Sequence, residues 1–366
     1  MSKGILTLDG ARGGGQIVRT ALAFSSLTGI PFEMNNIRKG RKQPGLKAQH
    51  LFCIKGLEKL CNAKAGYAEL GSEKLRFIPG KIKGKTISLD IGTAGSIQLL
   101  LQALLAPSIF ADTKVRLRIK GGTSGKWAMP FDFFNNVFVP HIRKFCEKIE
   151  VTLERRGYYP AGGGKIDIKI TPKYKLSDFK DFSELKKYIL ENEKDIDLAE
   201  QGKLLQIKGI SHASIALEKA EVAERQAKAA KAILSSFNVP VQIKTEYSNT
   251  LSTGSGITLW AKFALGEEMD FINPIILGSD ALGERGKRAE DVGKEAAEKL
   301  SKEIKSHAAV DSHTADNLIP FLVFGGKIKT SEITNHTKTN IWICEQFLGK
   351  MFDIDEKENI INVKKT

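Results

Sequence analysis

The residues best suited to covalent chemistry lie together in one stretch, Ile333-Thr334-Asn335-His336-Thr337-Lys338-Thr339-Asn340. It sits between a β-like run at 327–333 and an apolar helical pattern through Ile341, Ile343, Phe347 and Leu348. A histidine just ahead of a helix N-terminus has free backbone N–H groups and the positive end of the helix dipole beside it. Thr339 and Asn340 are good cap residues, so the turn can also receive an anion. A neutral imidazole there can attack an electrophilic phosphorus while the N–H groups and Lys338 hold the phosphate oxygens. Taken alone, the stretch reads more readily as a solvated polar loop, and the rest of the chain must shift that balance.

Other stretches carry groups for phosphate. Residues 38–50 bring Arg38, Lys39, Arg41, Lys42 and Lys47, then Gln49-His50 at the start of a helix. The planar fork of arginine suits phosphate oxygens, and Arg38 and Arg41 are spaced to converge on one anion. A solvated basic turn, with His50 a partly buried helix residue, is the alternative. Gly13-Gly14-Gly15-Gln16 opens a helix and lets backbone approach a phosphate or a nucleic-acid chain. It matches neither a dinucleotide fingerprint nor a P-loop. Gly162-Gly163-Gly164 reads as structural. At a further helix entry stand His313, Asp316 and Asn317; Asp316 is readable as a ribose or metal ligand, or as a first-turn acid favoured by the dipole. No His, Cys, Asp or Glu cluster has metal-ligand spacing.

These groups need a scaffold, and 366 residues suffice for two domains with a full core. Apolar residues make up 42% and charged residues 27%, the balance of an ordinary soluble protein. No apolar run reaches transmembrane length and no signal-peptide pattern opens the chain, which predicts a cytoplasmic address, or a nuclear one in a eukaryote. Cys53, Cys61, Cys146 and Cys344 are far apart, and the first three fall in apolar helical patterns, so buried free thiols are expected. A net charge of +14 points to nucleic acid or a phosphorylated substrate as partner.

The coarse pattern comes round three times as strand, turn, helix, strand, loop, helix, strands. The first round has a strand at 5–9, a helix at 16–28, a basic loop and a helix at 47–61. The second has a strand at 86–91, the turn Gly92-Thr93-Ala94-Gly95-Ser96, helices at 97–110 and 131–149, and strands near 151–155 and 165–171. The third starts at the turn 311–315 and contains the key stretch. Between the second and third rounds, 180–276 reads as an inserted α/β domain with a long helix at 215–237, after which a helix at 289–307 returns to the main body. The expectation is an α/β fold with a discontinuous large domain, 1–179 and 277–366. Equivalent loops of the three units, 38–50, 121–130 and 334–340, then fall at corresponding places.

Several blocks resemble the RNA 3′-terminal phosphate cyclases in order along the chain. They are Gly13-Gly14-Gly15-Gln16-Ile17-Val18-Arg19-Thr20, the Arg38, Arg41, Pro44-Gly45-Leu46 and Gln49-His50 set, and Gly92-Thr93-Ala94-Gly95-Ser96. Gly121-Gly122-Thr123, Gly157-Tyr158-Tyr159-Pro160-Ala161-Gly162-Gly163-Gly164, Ala315-Asp316-Asn317-Leu318 and His336 with Thr339-Asn340-Ile341 continue the series. The resemblance implies three α/β repeats with a smaller inserted thioredoxin-like α/β domain. It implies ATP, with Mg or Mn, and an RNA bearing a 3′-terminal phosphate as partners, with no membrane. By position, His336 matches the nucleophile that becomes adenylylated. Arg19, Arg38, Arg41, Gln49 and His50 match the phosphate and RNA-end site, and Gln102, His313, Thr314, Ala315, Asp316 and Asn317 the nucleotide site. The pattern departs where the family carries a Glu that helps bind metal: here Arg12 stands there, in a turn about two residues short. Asn317 replaces the usual Gln, and Gly121-Gly122-Thr123-Ser124-Gly125 lacks the usual Asp. The alternative is a non-catalytic cyclase-like RNA-binding protein of ribosome assembly, which His336 opposes and Arg12 favours.

Overall fold

A computed structural model describes residues 4–126 and 128–363; Trp127, within the 121–130 loop, lies outside them. The first unit runs β1 (Leu6–Asp9), α1 (Gly15–Thr28), β2 (Phe32–Asn35), α2 (Ala48–Cys61), β3 (Lys64–Gly66) and β4 (Leu75–Ile78). The second runs β5 (Thr86–Asp90), α3 (Ile97–Ile109), β6 (Val115–Gly121), a continuous helical stretch, β7 (Cys146–Arg155) and β8 (Gly164–Pro172). That helical stretch is α4 (Phe131–Phe133), a π-helical turn (Phe134–Phe138) and α5 (Val139–Ile142). It stops well short of residue 149. Cys146 begins a strand paired with β8, and ladder pairing overrides the apolar spacing that had read as helix.

After α6 (Phe182–Asn192) and β9 (Ile196–Leu198) come β10 (Lys203–Ser214), α7 (Val222–Leu234), β11 (Val241–Ser248), β12 (Ser255–Ala264), β13 (Ile275–Leu282) and α8 (Ala289–Lys305). The long helix expected at 215–237 is broken at Glu221, whose φ is +50°, so α7 starts only at Val222. The chain ends with α9 (Ser312–Leu322), β14 (Gly326–Lys329), α10 (Asn335–Leu348), β15 (Phe352–Asp355) and β16 (Ile360–Val363).

Three of the four sheets share one plan. Their orders are β1-β2-β4-β3, β5-β6-β8-β7 and β9-β14-β16-β15, each a parallel pair followed by antiparallel neighbours. The repeat read from the sequence is therefore a repeat of topology. By pairing, β9 supplies the first strand of the third unit, and β13 and α8 belong with the fourth sheet, β11-β10-β12-β13. The elements of the fourth sheet, with α7 and α8, form a segment that interrupts the third unit from Lys203 to Lys305.

Helix α1 is buried from Gln16 to Thr28. A helix buried on all sides belongs in the middle of a core, and α2, α3 and α10 pack around this one. Phe110, Phe145, Phe321 and Phe324 join the second and third units through ring contacts. All four cysteines are buried free thiols. Among the described residues no helix is long and apolar enough to cross a membrane.

Candidate active site

Three helices meet where their polar ends come together: the first turn of α1, the middle of α9 and the first turn of α10. The N-cap of α10 is Thr334, whose hydroxyl accepts the Thr337 N–H at 3.0 Å. His336 therefore lies inside the first turn, not ahead of the helix, and Thr339 and Asn340 are not its caps. Thr339 donates to the Asn335 carbonyl at 2.7 Å. The hydroxyls of Thr334 (2.6 Å) and Thr337 (2.5 Å) both donate to one carboxylate oxygen of Asp316. Asn340 donates to the Asp316 carbonyl at 2.6 Å and accepts from Thr20 at 2.7 Å. Burial raises the Asp316 pKa, while the two threonine hydroxyls and His336 oppose the rise. Asp316 thus moors the start of α10 from mid-α9. It is not the first-turn acid the sequence suggested.

Gln16 fixes the chemistry of His336. Its amide nitrogen donates to the His336 carbonyl at 3.0 Å, and its oxygen faces His336 Nδ1 within hydrogen-bond distance. A carbonyl can only accept, so the orientation of the Gln16 amide is set. Its oxygen can only accept in turn, so Nδ1 carries the proton and Nε2 keeps the lone pair. His336 is exposed, which leaves that lone pair accessible. The sequence reading held Gln16 only as part of a glycine-rich turn. Its one local signal is a polar side chain at the start of a largely apolar helix.

Beside this clamp is a buried cationic pocket. Arg19 is 6% exposed, and no carboxylate pairs with it among the described residues. Desolvation lowers its pKa to about 10, which leaves it charged at neutral pH. Its Nε donates to Gln102 at 2.6 Å, Gln102 donates to Asn317 at 2.9 Å, and Asn317 donates to the His313 carbonyl at 2.7 Å. His50 accepts the Lys47 N–H at Nδ1 (2.9 Å), so its Nε2 is the donor, and that atom is buried without a partner. Burial, then Arg19, Arg38 and Lys47, pull the His50 pKa down to about 3, so it is neutral. A Cβ at Gly15 would stand 2.2 Å from His50 Nε2 and 3.2 Å from an Arg19 nitrogen. Only glycine there lets both donors approach the start of α1. Arg41 reaches to 3.4 Å of the place a Cβ would take at Gly14. Arg38, at φ +56°, donates to the Gly45 carbonyl at 3.0 Å. Gln49 is half-buried on the first turn of α2.

Of the residues expected to bind nucleotide, Gln102, Asp316 and Asn317 line a cleft with Gln16, Asn340, Met129, Phe134 and Phe138. His313 is exposed and meets Phe133 edge to face at 6.3 Å. Thr314 and Ala315 are buried, and Thr314 is spent on the cap of α9, bonded to Asp311. The sequence reading missed Gln98, which lines the same cleft with a buried, unpartnered amide nitrogen.

Arg12 lies with its guanidinium 4.9 Å above the ring of Trp342 on α10. Among the described residues no group of three or more His, Cys, Asp or Glu side chains can hold a metal. The carboxylate nearest the chemistry, Asp316, is committed to two hydroxyls. The residues present do not fit a protein-held divalent ion.

Three topologically equivalent α/β units carry a clamped histidine beside a buried cationic pocket, an arrangement suited to phosphate chemistry. The sequence pattern of the RNA 3′-terminal phosphate cyclases matches residues 11–354. An RNA 3′-terminal phosphate cyclase of Pyrococcus furiosus is 45% identical over 353 residues, covering 96% of this chain and 95% of the relative. Proteins of that name from Methanosarcina mazei (40% over 365 residues, covering 98% and 99%) and Archaeoglobus fulgidus (38% over 362 residues, covering 98% and 100%) are similar over their whole length. The chain belongs to the RNA 3′-terminal phosphate cyclase family.

Proposed function

We propose that this chain converts an RNA 3′-terminal phosphate into a 2′,3′-cyclic phosphodiester at the expense of ATP, through a covalent histidine–AMP on His336. The observation that carries the reading is the Gln16 clamp, which leaves Nε2 of an exposed histidine as a free nucleophile. Nε2 attacks the α-phosphorus; the N–P bond forms as the bond to the bridging oxygen breaks, and pyrophosphate leaves. Gln16 accepts a hydrogen bond from Nδ1–H throughout and stabilises the positive charge that develops on the ring. An oxygen of the RNA 3′-phosphate then attacks the adenylyl phosphorus and releases the histidine. The ribose 2′-OH attacks the activated 3′-phosphorus, and AMP departs. Adenylylation turns a poor leaving group into a good one and splits one hard step into easier ones.

Arg19 and the Nε2–H of His50 suit the RNA 3′-phosphate, with Arg38, Arg41 and Gln49 on its approach. Gln102, Asp316 and Asn317, with His313 at the edge, suit the nucleotide. Arg12 neutralises phosphate charge directly from the place where the family carries its Glu. That same Arg12 favours the second reading, a non-catalytic RNA-binding relative acting in ribosome assembly. Incubation with α-labelled ATP and Mg or Mn, followed by denaturation, separates the two. An acid-labile AMP adduct that depends on His336 and discharges onto 3′-phosphorylated RNA is the expected result. Absence of the adduct with either metal leaves the non-catalytic reading.

A further inference from the structure

The fourth sheet touches both walls of the cleft at one place on β13. The Gly278 N–H donates to Asp311 at 3.0 Å, and Asp311 also accepts the Thr314 N–H at 2.8 Å as the N-cap of α9. The start of α9, which leads into His313, Asp316 and Asn317, is therefore pinned to the sheet through a fully buried carboxylate. The opposite wall rests on the same residue. A Cβ at Gly278 would stand 2.6 Å from the Phe133 ring and 2.8 Å from Val137, both fully buried. Phe133 and Val137 cluster with Trp260 and Ile276 of this sheet, and Met129, a cleft-lining residue, packs against them. A second tie lies next door: Arg156, 1% exposed, grips Asp132 at 2.7 and 3.1 Å and is also paired with Glu246 on β11. Phe133 in turn meets His313, which closes the circuit between the walls.

We propose that Gly278 and Asp311 are positioning residues through which the interrupting segment sets the spacing of the nucleotide cleft. The fourth sheet is then a buttress of the nucleotide site. The RNA-phosphate pocket of Arg19 and His50 is built on α1 and α2 and reaches α9 only through the side chains of Gln102 and Asn317. This rests on the proposed placing of nucleotide against α9.

The test compares the full chain with Gly278→Ala and with Gly278→Ala combined with Phe133→Leu, which makes room for the added methyl. Labelled ATP and a 3′-phosphorylated oligoribonucleotide are the probes, and hydrogen exchange is read without either. Overpacking at this contact is expected to weaken ATP binding about ten- to hundredfold and leave RNA-end affinity within about twofold. The double variant should recover most of the ATP affinity. Exchange should quicken at 131–138 and 312–317 and stay unchanged in α2. A folded Gly278→Ala protein with wild-type ATP affinity, equal losses for ATP and RNA, or unchanged exchange in the two walls would overturn the proposal. Failure of the unmodified chain to bind ATP would count against the nucleotide reading alone, since the exchange measurement still decides whether the sheet holds the walls.

Discussion

Replacing Gln16, itself 6% exposed, with leucine keeps the side-chain volume nearly constant and removes both bonds to His336. The bond to the backbone carbonyl is an ordinary neutral one, and losing it costs about 1 kcal/mol of stability, a fall in Tm of about 2 °C. The bond from Nδ1–H matters more in the proposed reaction, where the ring becomes cationic as Nε2 bonds to phosphorus. A hydrogen bond to a charged group contributes about 1.5–3 kcal/mol, so adduct formation should slow about ten- to 150-fold. Without the clamp the proton can also sit on Nε2, which removes the nucleophile from part of the population. Single-turnover transfer of label from α-labelled ATP to the protein, at saturating ATP, measures the step directly. Gln16→Glu preserves an acceptor for Nδ1–H and should lose much less. A Gln16→Leu protein that folds normally and forms adduct within about threefold of the wild-type rate would show that the clamp does not orient the nucleophile.

Arg19 is buried without a carboxylate, so Arg19→Met should leave thermal stability unchanged or raise it, as expected for removing an unpaired buried charge. The same change should weaken binding of 3′-phosphorylated RNA about tenfold or more and leave 3′-hydroxyl RNA unaffected in a titration of both. Arg12→Ala should lower ATP affinity by about fivefold with little change in Tm; unchanged affinity and activity would remove Arg12 from the site. Burial, with Asp311 adding to it, raises the Glu303 carboxyl from an ordinary 4.5 to about 7. Its folded pKa lies above its unfolded one, so its contribution is fully present below pH 4.5 and is lost as pH rises towards 7. Glu303→Gln should therefore stabilise the chain by about 1–2 kcal/mol at pH 8 and not at pH 4, as followed by denaturant unfolding at the two pH values.

The units themselves were legible because each is built from local patterns: an apolar helix after a glycine turn, alternating strands, a polar loop. Where long-range pairing decides, the patterns gave out. Ile196–Leu198 is three residues in a run of Asp, Glu and Lys, and only its partner Gly326–Ile328, far along the chain, makes it a strand. The residues at 131–149 keep a helical spacing of apolar side chains through Ile149, yet β8 claims everything from Cys146 onward. In the site, His336 and the basic loop could be found by type and spacing. The partners that give them their chemistry could not, since Gln16 and Thr20 reach α10 from the opposite end of the chain. Thr314 and Ala315 are named by position alone, and no sequence signal shows that the side chain of Thr314 serves the cap of α9 and that of Ala315 the core.

The pairing of β9 with β14 also bears on how the molecule assembles. In the first two units the parallel strands are joined directly, from Asp9 to Phe32 and from Asp90 to Val115; in the third the chain between Leu198 and Gly326 must be spanned. Closing a connection roughly six times longer costs about 1.5 kcal/mol more if the chain between is a random coil. That cost falls away once β10–β13 and α8 have formed and drawn their own ends together. Forming the interrupting segment first therefore lowers the cost of closing the unit that bears His336. During synthesis His336 follows the whole interrupting segment, so the strands β10–β13 and helix α8 are available to fold before the unit that contains it can close.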